Sequence, residues 1–166
     1  MLNKGMMSSD RQDWCTPDKV MKRVYEFVGV QAVGLDPCSN SYTPVQAVHK
    51  YMLPDADGLK ESWQDFGLVY VNPPYSDVLT WMAKCEAEAA SNTEILALVP
   101  SRTDTEWFQD FAFSANAICF WRGRLRFVGA PSTAPFPSVL LYWGKELEKF
   151  KEVFGRVGNV VILQHS

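Results

Sequence analysis

The sequence predicts an α/β fold: a mainly parallel sheet, wound with helices on both faces, that ends in antiparallel strands. Three observations predict it. Apolar runs of strand length, Gln31–Leu35, Phe66–Val71 and Ile95–Val99, each stop at a polar residue or a proline. Segments with helical spacing alternate with them. From Ala117 onward the pattern changes to short strand-like runs joined by Gly- and Pro-containing loops. Continuous apolar strands belong inside parallel sheets covered on both faces, and alternating β and α segments build such sheets.

Taken in order, residues 1–12 are polar and rich in Met and Ser, and are expected to be a flexible N-terminus. Residues 13–166 are expected to form a single domain. Thr16-Pro17 reads as a helix start, with Thr as the cap and Pro at the first helical position. Val20, Val24, Phe27 and Val28 give that helix an apolar face, and Lys19, Lys22 and Arg23 lie elsewhere on it. Gln31–Leu35 is the first strand and ends at Asp36-Pro37. Val45–Tyr51 reads as a short helix or a helix-to-strand passage, and Leu53–Asp65 as loop. Phe66–Val71 is a strand stopped by Asn72-Pro73-Pro74. Val78–Ala90 is helical, with Leu79, Met82 and Cys85 spaced along it. Ile95–Val99 is a strand stopped by Pro100. Thr103-Asp104-Thr105-Glu106 reads as a capping box for a helix running to about Phe113. Ala117–Trp121, Leu125–Val128, Val139–Trp143 and Val160–Leu163 are strand-like, and Lys145–Phe154 is a charged helix. Ligands of such sheets bind at the carboxyl ends of strands, where strand order switches. Asp36, Asn72 and Pro100 each follow a strand and are expected along one edge.

Composition excludes several functions. The 166 residues are 47% hydrophobic and 21% charged, enough for one core without staples or metals. The four cysteines, at 15, 38, 85 and 119, form no CxxC pair, so they suit neither zinc nor a disulfide framework. They read as reduced thiols in a cytoplasmic protein. Two histidines argue against a histidine-built metal site or a Ser-His-Asp site. No metal is expected, and no signal peptide or membrane-spanning run is recognisable. The net charge of -3 and pI near 5.4 give no overall pull toward nucleic acid. Any DNA contact must come from a local basic patch.

The chemistry is concentrated in Asn72-Pro73-Pro74-Tyr75. A residue before proline is pushed into an extended conformation, and this applies to both Asn72 and Pro73. Neither proline has an N–H to donate. The turn is therefore stiff and presents acceptors without competing donors. The Asn72 side-chain oxygen and the Pro73 carbonyl can both face one incoming amine. An exocyclic amine on a base is a poor nucleophile, because its lone pair is delocalised into the ring. Two acceptors favour a pyramidal nitrogen with its lone pair aimed at an electrophile, and holding that geometry in the transition state accelerates transfer. Tyr75 offers a flat face for a planar ring, worth about 1–3 kcal/mol per stacked base. The bland reading is a Pro-rich turn that only ends a strand.

With Asp13-Trp14-Cys15-Thr16-Pro17, Leu35-Asp36-Pro37-Cys38-Ser39, Asp57-Gly58-Leu59 and Trp63, the motif resembles the phage-type DNA adenine-N6 methyltransferases. Leu98–Thr105, Trp107-Phe108, Gly123–Phe127 and Ala134–Ser138 follow in the same shared order. The resemblance spans Asp13 to Trp143. It implies a Rossmann-like class I fold, S-adenosyl-L-methionine as cofactor, DNA as partner, and a phage or prophage source. Asn72, Pro73, Pro74 and Tyr75 would be the catalytic residues, acting on a flipped-out base.

The resemblance also implies a cofactor site. Trp14, Thr16 and Pro17 match the segment that contacts the methionine end; an ordinary helix cap is the alternative. Asp36, Pro37, Cys38 and Ser39 stand where the wider class has a glycine-rich turn, and this chain has none there. A turn cap is the alternative reading of Asp36. Asp57 would accept from the cofactor's adenine amine, or would simply be solvated. Asn72 adjoins the same site. The ribose-binding acid is left open, with Asp55 one candidate. Nothing makes Cys38 a nucleophile. Trp63, Trp81, Trp107 and Trp121 read as core or pocket walls. Arg122, Arg124 and Arg126 alternate, so in a strand they share one face suited to DNA phosphates. A solvated, charge-protected edge is the alternative. Arg102 could join them, and the Gly129–Pro137 loop is the candidate target-contacting loop. Two other readings stand: another substrate nitrogen (cytosine, an RNA base or a protein glutamine), and a non-catalytic nucleic-acid-binding module on the same scaffold. A nucleotide-binding protein lacks its phosphate loop here.

Overall fold

A computed structural model of the chain describes residues 14–165. The expectation for residues 1–12 lies outside them. Seven strands form one sheet in the order β2-β1-β3-β4-β6-β5-β7. They are β1 (Val33–Asp36), β2 (Ala47–Lys50), β3 (Val69–Val71), β4 (Ile95–Pro100), β5 (Ala117–Trp121), β6 (Ser138–Trp143) and β7 (Gly158–Ile162). β2, β1, β3 and β4 run parallel, while β6 is antiparallel to β4 and β5, and β7 to β5. The expected change from parallel to antiparallel thus falls between β4 and β6. Among the described residues the α-helices are α1 (Asp18–Val28), α2 (Val78–Ala89), α3 (Glu106–Phe111) and α4 (Leu147–Phe154).

Alternation along the strands divides the core in two. Tyr70, Leu96, Leu98, Leu140 and Tyr142 join Val20, Met21, Val24 and Phe27 of α1 and Phe150, Val153 and Phe154 of α4. Val69, Val71, Ile95, Ala97 and Val99 join Val78, Trp81, Met82 and Cys85 of α2 and Phe108 of α3. Side chains at successive strand positions point to opposite faces, so fully apolar strands such as β4 require cover on both. α1 ends at Gly29, whose φ of 89° permits the left-handed cap.

Several expected boundaries are corrected. Thr16 does not cap α1. Pro17 is the residue before the helix, with φ -64° and ψ 148°, and the Thr16 hydroxyl turns inward instead. Of the helix and the helix-to-strand passage expected over residues 45–51, only the strand forms, as the edge strand β2, because parallel pairing with β1 satisfies its backbone. The run from Phe66 yields strand only at Val69–Val71, since Gly67 at φ 80° breaks it. The Thr103 capping box does not form: α3 starts at Glu106, and the Thr105 hydroxyl donates to Arg102 O at 2.7 Å. Leu125–Val128 lies outside the sheet, and among the described residues its one bridge is Cys15 with Val128.

Candidate active site

β1 is bonded to β2 on one side and β3 on the other, so strand order reverses between β1 and β3. A crevice opens at such a reversal, outside the carboxyl ends of the strands. Here it is a cavity of about 260 Å³. Asp36 from the end of β1 and Asn72 and Pro74 from the turn after β3 line it. Trp14 and Thr16, which precede α1, and Pro37, Cys38 and Ser39, which follow β1, line it too. Asp57 and Gly58 close it from the loop after β2. Segments distant in sequence meet because their strands or helices end at one edge of the sheet. Pro17, Pro73 and Tyr75 stand beside this group but do not line the cavity, and Asp55 is exposed outside it.

The loop carrying Asp57 is held tightly. A Cβ on Gly58 would lie 1.8 Å from the Pro37 carbonyl oxygen, so only glycine allows that approach. The indole N–H of buried Trp63 donates to Gly58 O at 2.8 Å, and Trp63 stacks on Trp81, itself a cavity wall. Asp57 Oδ1 accepts from Leu59 N at 3.0 Å, and Oδ2 lies 3.5 Å from Lys60 Nζ. Its carboxylate therefore serves its own turn as well as the cavity wall.

Asp36 is 4% exposed, and burial pushes its carboxyl up to about 6. Its Oδ1 accepts from Cys38 N at 3.2 Å, and Lys50 partly offsets the burial. The buried Ser39 hydroxyl lies close enough to Asp36 to favour its anion, but makes no hydrogen bond of good geometry among the described residues. A buried hydroxyl without a partner and a desolvated carboxylate fit a polar, positively charged ligand, which would satisfy both. The Cys38 thiol donates to Asn72 O at 3.1 Å, and burial holds it well above the ordinary thiol range. It stays protonated, which makes it a structural donor and not a nucleophile.

The Asn72 amide is fully oriented. Its nitrogen donates to Trp14 O and to Thr16 Oγ1, the latter at 3.1 Å. Its oxygen accepts from the Tyr75 hydroxyl at 3.1 Å. Asn72 O is occupied by Cys38 and Pro74 O by Asp77 N, whereas Pro73 O has no hydrogen bond among the described residues. The Tyr75 ring packs edge-on against Phe127 at 6.0 Å and Phe136 at 5.4 Å. The residue is half-buried, its ring turned to these two phenylalanines, and it is not among those that line the cavity.

Of the arginines, Arg102, Arg122, Arg124 and Arg126 are all exposed and outside the cavity. Three of them converge on the 129–137 loop. Arg102 lies over the Phe136 ring at 5.6 Å, Arg124 Nη1 donates to Ala134 O at 3.5 Å, and Arg126 Nε donates to Ala130 O at 3.2 Å. Arg122 is separated from this group by Gly123 at φ 77°, and its N–H bonds to Val157 O. The row of three is thus broken, because the segment is not a regular strand.

Sequence reasoning missed Tyr70, whose hydroxyl touches Thr16, and the Phe127–Phe136 enclosure of Tyr75. The apolar surroundings of Tyr70 gave no sign of a role, and Phe127 and Phe136 fall in the segments Gly123–Phe127 and Ala134–Ser138 of the resemblance without a role of their own. The cavity walls Thr43, Val45 and Tyr51 were equally unmarked. Among the described residues no group of His, Cys, Asp or Glu could hold a metal ion, and no helix is long and apolar enough to cross a membrane.

Fold and site together define an α/β protein with a cavity at the switch point of its sheet and an amide-bearing turn at the cavity's edge. The chain matches the family model for DNA N-6-adenine-methyltransferase (Dam) over residues 4–145, and it belongs to that family. Family membership implies methylation of adenine in DNA. No curated protein and no solved structure matches the chain.

Proposed function

We propose that the chain uses S-adenosyl-L-methionine to methylate the 6-amino group of adenine in DNA, on a base turned out of the helix. We read its sheet as a Rossmann-like class I methyltransferase fold. The observation that carries the proposal is the meeting of Asn72 and Asp36 in one cavity. One end can bind a cation and the other can grip an amine. When bound there, the cofactor supplies an electrophilic methyl group on a positively charged sulfur.

The protein's own part is positional. Asp36 provides the negative charge, and Ser39 an unused hydroxyl, for the cofactor. Asn72 Oδ1 and the Pro73 carbonyl are the acceptors for the two amine protons. Tyr75 swings from its inward position and offers its ring to the base, since its hydroxyl now holds the atom that the amine needs. Arg102, Arg124 and Arg126 contact phosphates beside the 129–137 loop. We read its DNA target as a short or loosely defined site, and the protein as acting in the cytoplasm.

The test is incubation with methyl-labelled S-adenosylmethionine and unmethylated DNA, followed by digestion to nucleosides. Label in 6-methyladenine that is absent with Asn72→Ala supports the reading. Label in cytosine, or only in RNA or protein, overturns the choice of substrate. Cofactor binding with no transfer to any of these would instead favour a binding module.

A further inference from the structure

We infer that Thr16 and Tyr70 are positioning residues that fix which way the Asn72 amide faces. The inference rests on the methyl-transfer reading above. An asparagine amide has one acceptor end and one donor end, and a half-turn about its last bond exchanges them. With the oxygen toward the target, the amine is gripped. With the nitrogen toward it, donor meets donor and the grip is lost. The two states have nearly the same shape, so packing alone does not choose between them.

Hydrogen bonding does choose. The Trp14 carbonyl can only accept, so the Asn72 nitrogen must face it. The second amide proton goes to Thr16 Oγ1, and Thr16 is wholly buried. Thr16 Oγ1 in turn lies 2.8 Å from the hydroxyl of Tyr70, which is also wholly buried. With its own proton given to Tyr70, Thr16 Oγ1 presents only a lone pair to Asn72, so it accepts from the amide nitrogen and has nothing to offer a flipped oxygen. Burial holds the Tyr70 phenol far above its ordinary range, so it keeps its proton at any working pH. Tyr70 sits in β3 two residues before Asn72, with its ring in the core on the α1 side of the sheet. Rigid strand geometry therefore sets the position of its hydroxyl. Tyr70 does not line the cavity, which separates its effect from direct ligand contact. The Cys38 thiol completes the hold by bonding the Asn72 main-chain oxygen. The amide is thus fixed at both its backbone and its nitrogen, and its oxygen is left toward Tyr75 and the target side.

The test compares Tyr70→Phe, Thr16→Val and Thr16→Ser with the wild type. Measurements are steady-state methylation of DNA adenine, cofactor affinity by calorimetry, and the melting temperature. Tyr70→Phe should lower kcat by about tenfold, the equivalent of one net hydrogen bond, with cofactor affinity and the KM for cofactor unchanged. Thr16→Val should lose at least as much kcat, and Thr16→Ser, which keeps the hydroxyl, should recover it. Full kcat in both Tyr70→Phe and Thr16→Val, while Asn72→Ala is inactive, would overturn the positioning role and leave the methyl-transfer reading intact. Equal losses of kcat, cofactor affinity and stability in Tyr70→Phe would mark it as structural only, and would also overturn the role. A wild-type protein that labels no adenine would overturn the underlying reading, and this inference with it.

Discussion

The Tyr75 hydroxyl lies 3.1 Å from Asn72 Oδ1 and donates to it. The acceptor that would grip a target amine is therefore already satisfied, by a residue of the same motif. Burial keeps that phenol protonated, and Phe127 and Phe136 wall its ring on two sides. Target binding must exchange one donor for another.

Tyr75→Phe removes the competing donor and keeps the ring. The free state then carries an unsatisfied acceptor that the target amine fills. The KM for DNA should fall about fivefold, the size of one modest hydrogen bond, with kcat retained. Tyr75→Ala should raise the same KM and leave cofactor affinity alone. Steady-state kinetics on DNA decide this; a higher KM in the Phe variant would mean that the hydroxyl helps to hold the base.

Asp36 predicts a dependence on pH. Its folded pKa, about 6, is above the ordinary 3.8, and the cause is burial. The stability associated with its protonated form is present below pH 3.8 and is lost as pH rises through 6. The cost of burying the anion is about 3 kcal/mol. Asp36→Asn should therefore gain in melting temperature relative to the wild type between pH 4 and pH 8. The same variant should bind the cationic cofactor more weakly, and wild-type affinity should fall as pH drops through about 6. Thermal melts and calorimetry across this range measure both. A constant difference in melting temperature would contradict the burial argument.

Gly58→Ala places a methyl 1.8 Å from Pro37 O, and the wall must move. Overpacking of this kind costs about 1–3 kcal/mol, and each kcal/mol is about 2–4 °C for a domain of this size. Melting temperature and cofactor affinity should fall together, because the displaced turn carries Asp57. Lower stability with unchanged affinity would show that Asp57 makes no contact with the cofactor.

Arg124 and Arg126 hold loop carbonyls while their charge stays exposed to solvent. If each meets one phosphate, Arg124→Ala with Arg126→Ala should reduce the slope of log affinity against log salt by about 2. Binding measured at several salt concentrations reads the slope directly. An unchanged slope would restrict both arginines to holding the loop.

Much of the scaffold was legible in advance. β4, β5 and β6 are buried apolar runs with clear stops, and their ends fell within a residue or so of expectation. Asp36 and Asn72 were placed at strand ends, and the structure brings them into one cavity. Short edge elements were less legible. β2 is mostly exposed, so its strand character comes from pairing with β1 and not from its own composition. Leu125–Val128 has the alternation of a strand but finds no partner strand.

The sequence by itself determined the class of sheet, the position of the Asn-Pro-Pro-Tyr turn and the set of polar residues around it. These depend on apolar periodicity and on the conformational limits of proline, which act locally. Tertiary structure alone decided the state of the site. It turned Thr16 from a helix cap into a partner of Asn72, and folded Tyr75 onto the acceptor it was expected to leave open. It also set the 129–137 loop beneath the arginines. Those outcomes depend on which buried donors meet which acceptors across the sheet, and a hydroxyl or amide has no preferred partner until the chain has packed around it.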